Sequence, residues 1–394
     1  MKYVLLGVFI GNFFTYAAIY SVHNYISQII KSNTSLCNRH IALLNSYDVL
    51  KILSAYFFGM IGDKFRIRYL VCIFSLIFYV LTMHYITYYV NDSKLRFKTI
   101  FFDLLLKFFN TGIIPLIEVM TVNVAAYNPN IWCYSILRLS LVFGRTAGHL
   151  IPKYIEDSDV GRYLGLRYFA MCAVPVLLTL HFLTRDIEKK KEMEGGKETL
   201  KENLKAIIFS QYFLILLFMV FQGVHRTCTS SFQTIFTRQV SGKKNESNVY
   251  VFRTLPEVVA DLACPLFEKR FGCLNLVYFG ASLGILRALI YSFVTTDFFW
   301  LFYFAEIPKA FFSCFVCYGV TKLSKLYNPM ERTATAQAFY SGMYNGLAPC
   351  ITGIIGFFTL KDDTVGSLRT LFLITAFIGI SGYVFSFFIK NKKF

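Results

Sequence analysis

Several charged residues lie inside long apolar stretches of this 394-residue sequence, among them Glu118, Arg138, Glu257, Arg287 and Glu306. A charged side chain at membrane depth is costly unless it faces a partner or a water-filled cavity, so each is a candidate functional residue. A carboxyl group there can carry a proton, and an arginine beside it favours release of that proton. An arginine–carboxylate pair can also bind hydroxyl-rich or anionic ligands through directed hydrogen bonds. The alternative is a set of structural ion pairs that hold helices together.

The composition indicates a membrane protein. Apolar residues make up 56% of the chain and charged residues only 16%, and the mean hydropathy is +0.52. Soluble globular chains are roughly one quarter charged. These values exclude an ordinary soluble enzyme, a disulfide-rich secreted domain and a disordered chain. They also exclude an outer-membrane barrel, whose alternating strands do not reach this hydropathy.

The apolar stretches have the length that a transmembrane helix needs, roughly 20 residues. The sequence predicts twelve spans, with eleven or thirteen as alternatives, near 4–29, 41–61, 69–90, 99–126, 132–152, 161–183, 206–237, 248–267, 274–295, 298–320, 334–358 and 369–389. The predicted fold class is an all-α polytopic membrane protein with twelve transmembrane helices in two six-helix bundles. A charged linker over 185–205 separates the bundle over 1–184 from the bundle over 206–394, which ends in a short basic tail. Two sets of six spans are typical of transporters built from repeats.

The net charge of +17 comes mostly from residues between and beside the spans. Basic loops are common in membrane proteins of any function, so nucleic acid is not an expected partner. Lys and Arg are more numerous on the side that holds the linker, which predicts that both termini are cytoplasmic. The first apolar stretch continues to about Ile30 without a cleavage site, which indicates a membrane helix rather than a signal peptide. Sequons at Asn33, Asn91 and Asn245 add weak support for this topology. The plasma membrane is favoured, but the host membrane stays open.

A glycine-containing, basic segment ends the second predicted span: Gly59-Met60-Ile61-Gly62-Asp63-Lys64-Phe65-Arg66-Ile67-Arg68. It resembles the loop 2–3 signature of the major facilitator superfamily, G-x-x-x-D-[RK]-x-x-x-[RK]. The resemblance implies that Gly59, Asp63, Lys64, Arg66 and Arg68 form a conformational latch, which joins the cytoplasmic ends of the two halves in one state. The alternative is a basic turn whose glycines serve helix packing.

Nearly the whole chain also resembles the lactose-permease-like branch of that superfamily, which includes oligosaccharide–proton symporters. This resemblance rests on the order of the intramembrane charges and on two short segments, Tyr134–Arg138 and Arg332–Gln337. The resemblance implies that Glu118 and Arg138 bind the substrate. It also implies that Glu257 joins substrate binding to proton coupling, and that Arg287 and Glu306 form the proton-coupling pair.

Two positions depart from that branch. Arg145 stands where lactose permeases have a tryptophan that stacks on the sugar, and Tyr303 stands where they have a histidine. Arg145 is therefore included among the predicted substrate-binding residues. Other basic residues of spans five to seven favour an anionic or nucleoside-like substrate over a galactoside: His149, Arg167, His225 and Arg226. The role of Lys309, next to Pro308, stays open.

The leading hypothesis is a secondary active transporter that moves a small polar solute, a sugar or a nucleoside-like molecule, through alternating access. The proton is the expected coupling ion, and no cofactor or metal is expected. We expect no enzymatic activity, because the hydrolase-like motif over 280–284 lies in an apolar span rather than in a strand–turn–helix. The expected partners are the lipid bilayer and the solute, with the chain acting as a monomer. The alternative is a receptor, sensor or scaffold that has the transporter fold but no longer transports.

Overall fold

A computed structural model describes residues 2–34, 36–65, 67–90, 97–126, 132–155, 159–191, 205–242, 245–328, 336–337 and 339–389. Every regular element within these residues is helical. The α-helices are α1 (Lys2–Val22), α2 (Ile26–Thr34), α3 (Asn38–Ser46), α4 (Leu50–Lys64), α5 (Arg68–Tyr89), α6 (Phe97–Asn110), α7 (Ile114–Ala126), α8 (Cys133–Ile155), α9 (Asp159–Lys191), α10 (Gln211–Ser241), α11 (Asn245–Phe252), α12 (Thr254–Phe271), α13 (Cys273–Phe293), α14 (Leu301–Tyr327), α15 (Ala348–Thr359) and α16 (Val365–Ser381). Short 3₁₀ segments extend three of these helices, and a π-helical segment over Met343–Leu347 precedes α15.

Within the described ranges, nine helical stretches are long and apolar enough to cross a membrane. They are Tyr3–Thr34, Asn38–Gly62, Arg68–Tyr89, Phe97–Val122, Val160–Thr184, Gln211–Ser241, Cys273–Phe293, Leu301–Ser324 and Val365–Phe388. Each coincides with a predicted span. The chain is therefore an all-helical, multi-pass membrane protein, as its hydropathy predicts.

The three other predicted spans also fall on helices. They are 132–152 on α8, 248–267 on α11 and α12, and 334–358 on the π-helical segment and α15. Two of these helices carry charged residues within the predicted span: Arg138 and Arg145 on α8, and Glu257 and Asp261 on α12. Twelve spans are thus consistent with the structure, and α8 and α12, which are outside the nine apolar stretches, carry the candidate residues Arg138, Arg145 and Glu257.

The helices group into two compact units. The first consists of Met1–Cys37 and Leu53–Glu194, and the second of Asn38–Ile52 and Gly195–Phe394. In the first unit α1 packs against α8 and α9, and α5 packs against α6 and α9. In the second unit α14 packs against α12 and α13, while α10 packs against α15 and α16.

Glycines allow some of these helices to approach closely. On α8, a Cβ atom at Gly144 or Gly148 would collide with the backbone of α1 at Phe13 or Ala17. On α13, a Cβ atom at Gly284 would lie 2.8 Å from the Phe312 ring of α14. Small residues four positions apart are typical of such helix contacts in membranes. The motif over 280–284 is therefore a helix-packing surface, as its apolar context predicts.

Candidate functional site

Glu306 is the centre of a buried polar network in the second unit. Its side chain lies on α14 and has 0% exposure. Arg287 of α13 donates a hydrogen bond to Glu306 Oε1 at 3.0 Å. The Nε atom of Arg253, between α11 and α12, lies 3.3 Å from Glu306 Oε2. One carboxylate therefore faces two guanidinium groups, and the pair predicted from the sequence, Arg287 and Glu306, is in direct contact.

Neutral side chains complete the network. Gln233 Nε2 and the Tyr291 hydroxyl each donate to Glu306 Oε1, both at 3.0 Å. Arg287 also donates to Gln233 Oε1 and to Thr229 Oγ1, both at 2.7 Å. Gln233 and Thr229 lie one turn apart on α10, so the network connects α10, α13 and α14. Buried charges need such partners, because an ion taken out of water loses its hydration.

Glu257 and Lys309 lie beside this network. Glu257 of α12 is 3% exposed and Lys309 of α14 is 8% exposed. Lys309 Nζ donates to Ser313 Oγ, one helical turn away, at 2.8 Å. The charges of Glu257, Arg253 and Arg287 all act on the Lys309 ammonium group. The three residues predicted to couple protons therefore lie in one part of the second unit.

Two basic residues of α10, His225 and Arg226, belong to the same region. The buried His225 ring is hydrogen-bonded to Gln222 Oε1 at 3.0 Å. Arg226 is half-buried, donates to Asn345 Oδ1 at 2.8 Å and lies 4.6 Å from the centre of the Tyr344 ring. Both were noted in the sequence for their basic character, and both bond here to neutral side chains.

The predicted substrate residues of the first unit have a more open arrangement. Glu118 of α7 is exposed and accepts a hydrogen bond from the Tyr16 hydroxyl of α1 at 3.1 Å. The charges of Glu118, Arg138 and Arg145 all act on that hydroxyl, which places the three residues in one region. Tyr20 stacks on Tyr16 with 5.7 Å between ring centres. The Arg145 guanidinium also lies 5.7 Å from the Tyr20 ring.

Other basic residues of the first unit hold helices or face outwards. His149 of α8 is buried and hydrogen-bonded to Asn24 and Tyr25, both at 3.3 Å. The Arg162 guanidinium lies 3.3 Å from the centre of the Tyr25 ring, a cation–π contact. Arg167 is exposed on α9. His149 therefore links α8 to the 3₁₀ segment His23–Tyr25, between α1 and α2.

The predicted latch is described in part. Gly59 lies on α4 with open space where a Cβ atom would stand, and Arg68 begins α5. The backbone N–H of Ile67 donates to the Gly62 carbonyl at 3.1 Å, which closes the turn between α4 and α5. Arg66 and the side chains of Asp63 and Lys64 lie outside the described residues.

Sequence reasoning missed several members of these sites, namely Tyr16, Thr229, Gln233, Arg253 and Tyr291. Arg253 carries a charge inside a predicted span, so it could have been found by the criterion that found Arg287. The other four are uncharged, and polar side chains of that size are common in membrane helices. Hydropathy gives no signal for them.

A model of the MFS_1 like family, from the major facilitator superfamily, matches residues 5–373. The chain belongs to this family. It is therefore a multi-pass membrane protein of a transporter family, as its sequence motifs predict. No curated protein matches the chain.

Solved structures show that this MFS_1-like protein has the major facilitator fold. A point variant of the nucleoside transporter NupG aligns with a TM-score of 0.79 and 16% identity, over 98% of this chain and 100% of that chain. A bacterial homologue of the human lysosomal transporter Spinster, inward-facing and unoccupied, aligns with a TM-score of 0.66 and 16% identity, over 98% and 96% of the two chains. A structure from work on proton-dependent oligopeptide transporters aligns with a TM-score of 0.67 and 12% identity, over 98% and 97%. At such identities the likeness concerns the fold alone.

Proposed function

We propose that this MFS_1-like protein is a secondary active transporter that uses a proton gradient to move a small polar solute by alternating access. The observation that carries the proposal is the fully buried Glu306, held by Arg287 and Arg253 inside a membrane-embedded unit. A membrane helix does not need a buried carboxylate for its stability, because a well-packed apolar side chain serves at least as well. A proton carrier does need one.

Proton binding at Glu306 would change the forces between helices. A proton removes the negative charge of the carboxylate, and so weakens its attraction to Arg287 on α13 and to Arg253 beside α12. The packing of α14 against both helices then becomes less constrained. This gives the proton a way to favour one conformation over another, which coupling requires.

The solute is proposed to bind through Glu118, Arg138 and Arg145 of the first unit. A carboxylate accepts hydrogen bonds from hydroxyl groups, and guanidinium groups donate to oxygen acceptors. The exposure of Glu118 supports this role, because its oxygens are open to a ligand. A sugar or a nucleoside-like molecule offers the matching groups. The likeness of the fold to a nucleoside transporter supports the same solute class.

The remaining assignments complete the proposal. Gly59, Asp63, Lys64, Arg66 and Arg68 form the cytoplasmic latch, both termini are cytoplasmic, and the chain works as a monomer. The excess of Lys and Arg in segments on the side of the linker supports this orientation. Charge reversal at Asp63 is expected to slow transport without abolishing solute binding.

The direct test is uptake of labelled sugars, nucleosides and organic anions into proteoliposomes, with and without an imposed pH gradient. We expect one solute class to accumulate when the gradient is present, and Glu306→Gln to abolish that accumulation. Glu268→Gln is the matched control, because Glu268 is a paired carboxylate of the same unit, near the end of α12 and 18% exposed. It is expected to accumulate solute like the parent protein.

Two results would contradict the proposal. Uptake that is unchanged by the gradient and by Glu306→Gln would describe a facilitator with no proton coupling. Absence of uptake for every class, by protein that elutes as a folded monodisperse species, would favour a receptor or scaffold.

A further inference from the structure

Lys309 has an unusual set of neighbours for a buried ammonium group. It lies one turn beyond Glu306 on α14, and its Nζ atom donates to Ser313 Oγ at 2.8 Å. The Nζ atom also lies 5.4 Å from the centre of the Phe312 ring. Among the described residues, no carboxylate lies within ion-pair distance of Nζ. Buried lysines are ordinarily paired, since an isolated charge in a low-dielectric region is costly.

The charges around Lys309 are mainly of the same sign. Arg287, Arg226 and Arg253 act on it, and Glu257 is the carboxylate that opposes them most directly. Glu306 is also within electrostatic range, but its oxygens already accept from Arg287 and face Arg253. Among the charges that act most strongly on Lys309 and Glu306, the basic side chains of Lys309, Arg287, Arg226 and Arg253 outnumber the carboxylates of Glu257 and Glu306.

Arg226 is the second cation of this region without a carboxylate partner among the described residues. Its NH1 group donates to the Asn345 amide oxygen at 2.8 Å, and its guanidinium lies 4.6 Å from the Tyr344 ring centre. Both contacts are with neutral groups. The charges of Arg287, Lys309 and Arg226 all act on the His225 ring, which places these side chains in one region.

Lys309 and Arg226 keep donors available for a ligand. An ammonium group has three N–H donors and a guanidinium has five, while each side chain here has one recorded hydrogen bond to another side chain. Repulsion between like charges at low dielectric is large, and an anion between them would turn it into attraction. Two basic groups that face an oxyanion are a common arrangement for carboxylate and phosphate recognition.

We propose that Lys309 and Arg226 bind an anionic group of the transported solute, so that the solute carries a carboxylate or a phosphate. This inference rests on the proposed transport function and narrows its solute class from polar molecules to organic anions. A nucleoside or sugar skeleton remains compatible, provided that it carries an acidic group. Within the second unit, Glu257 and Glu306 are then left to balance Arg253 and Arg287.

The test uses the purified full-length protein, with Lys309→Met compared with the parent. Lys322→Met is the matched control, since Lys322 lies on the same helix, is 42% exposed and is paired with Glu268. Thermal unfolding is measured in sodium phosphate, sodium acetate and sodium chloride at equal ionic strength. Phosphate or acetate is expected to stabilise the parent and Lys322→Met above chloride. Lys309→Met should need about tenfold to a hundredfold more anion for the same stabilisation.

Uptake into proteoliposomes supplies the second measurement, with the pairs uridine and uridine 5′-monophosphate, and glucose and glucuronate. We expect the acidic member of at least one pair to be preferred by the parent, and the preference to be lost in Lys309→Met. The uridine pair tests for recognition of a phosphate group and the glucose pair for recognition of a carboxylate, so the two kinds of anion are distinguished. Lys309→Arg, which keeps the charge, is expected to retain the preference.

The outcomes separate this inference from the transport function. The anion site would be contradicted if neutral solutes are taken up and anions either do not stabilise the protein or stabilise the parent and Lys309→Met equally. Transport itself would then stand. Lys309-dependent stabilisation by anions without any uptake would support the anion site and contradict transport. If Lys309→Met does not fold, Arg226→Gln is measured in the same way, and full anion stabilisation in that variant would overturn the inference.

Discussion

Glu118 in the first unit and Glu306 in the second are both carboxylates in a membrane protein, but their surroundings differ. Glu118 is exposed, and its recorded hydrogen bond comes from the Tyr16 hydroxyl. Glu306 is fully buried and is contacted by Arg287, Arg253 and two neutral donors. A carboxylate has about four lone-pair sites. Three donors within the protein bond to Oε1 of Glu306 and Arg253 faces its Oε2, whereas a single hydroxyl donates to the exposed Glu118.

The difference separates two tasks that a coupled transporter must perform. A group that binds a solute has to be accessible and incompletely bonded before the solute arrives. A group whose protonation changes the conformation has to lie where its charge determines how helices pack. Substitution of the two carboxylates or of their hydrogen-bond partners should therefore affect different properties, mainly stability at Glu306 and mainly solute affinity at Glu118.

The largest effect is expected for Arg287→Met. Removal of this side chain takes a donor from the buried Gln233 Oε1 and one of two guanidinium groups from Glu306, and should reduce the free energy of unfolding by about 3–5 kcal/mol. Thermal unfolding of the purified protein measures this loss. Arg270→Met is the control, because Arg270 is exposed at the end of α12 and its removal should change stability by less than about 0.5 kcal/mol.

A double variant sharpens the comparison. Arg287→Met combined with Glu306→Leu removes both members of this ion pair but leaves Arg253 without its carboxylate, so it is expected to recover only part of the stability that Arg287→Met loses. Equal stability of Arg287→Met and the parent protein would show that the buried network contributes nothing to folding, and would contradict the contrast between the two units.

Glu118→Gln should have the opposite pattern. Because Glu118 is exposed, the unfolding transition is expected to stay close to that of the parent. Solute affinity should fall by about tenfold or more, since hydrogen bonds to a charged group are among the stronger ones. Binding competition and the KM for uptake measure this change. If Glu118→Gln binds solute normally but unfolds at a lower temperature than the parent, Glu118 stabilises the fold and does not bind the solute.

The smallest effect is expected for Tyr16→Phe. It removes the hydroxyl that donates to Glu118 and keeps the ring that stacks on Tyr20. Loss of one hydrogen bond corresponds to about a twofold to tenfold loss of affinity. Tyr3→Phe, at the exposed start of the same helix, is the control and should bind solute like the parent. If Tyr16→Phe weakens binding more than Glu118→Gln, the hydroxyl contacts the solute itself.

Much of the fold could be predicted from the sequence because the hydropathy of about 20 consecutive residues is a local property. The predicted span 274–295, for example, corresponds to the helix Cys273–Phe293. The pairing of Arg287 with Glu306 was also predicted, from the resemblance to the lactose-permease-like branch, and a charge at membrane depth needs such a partner.

The rest of the network depends on tertiary packing. Arg253 lies four residues before Glu257, a spacing that predicts a pair on one helix face. Its guanidinium lies instead at Glu306 on another helix. Gln233 and Tyr291 bind the same carboxylate but carry no charge, so nothing in their local sequence marks them. Contacts between helices bring these residues together, and the close approach of Gly284 on α13 to the Phe312 ring of α14 is an example.

The most direct test of the division between the two carboxylates compares Glu118→Gln and Glu306→Gln in the same proteoliposomes, in two modes of transport. One mode is accumulation driven by a pH gradient, and the other is exchange of labelled for unlabelled solute at equal pH. We predict that Glu306→Gln loses accumulation but keeps exchange, because solute binding remains, and that Glu118→Gln loses both. Gradient-driven accumulation at the parent level in Glu306→Gln would contradict the account.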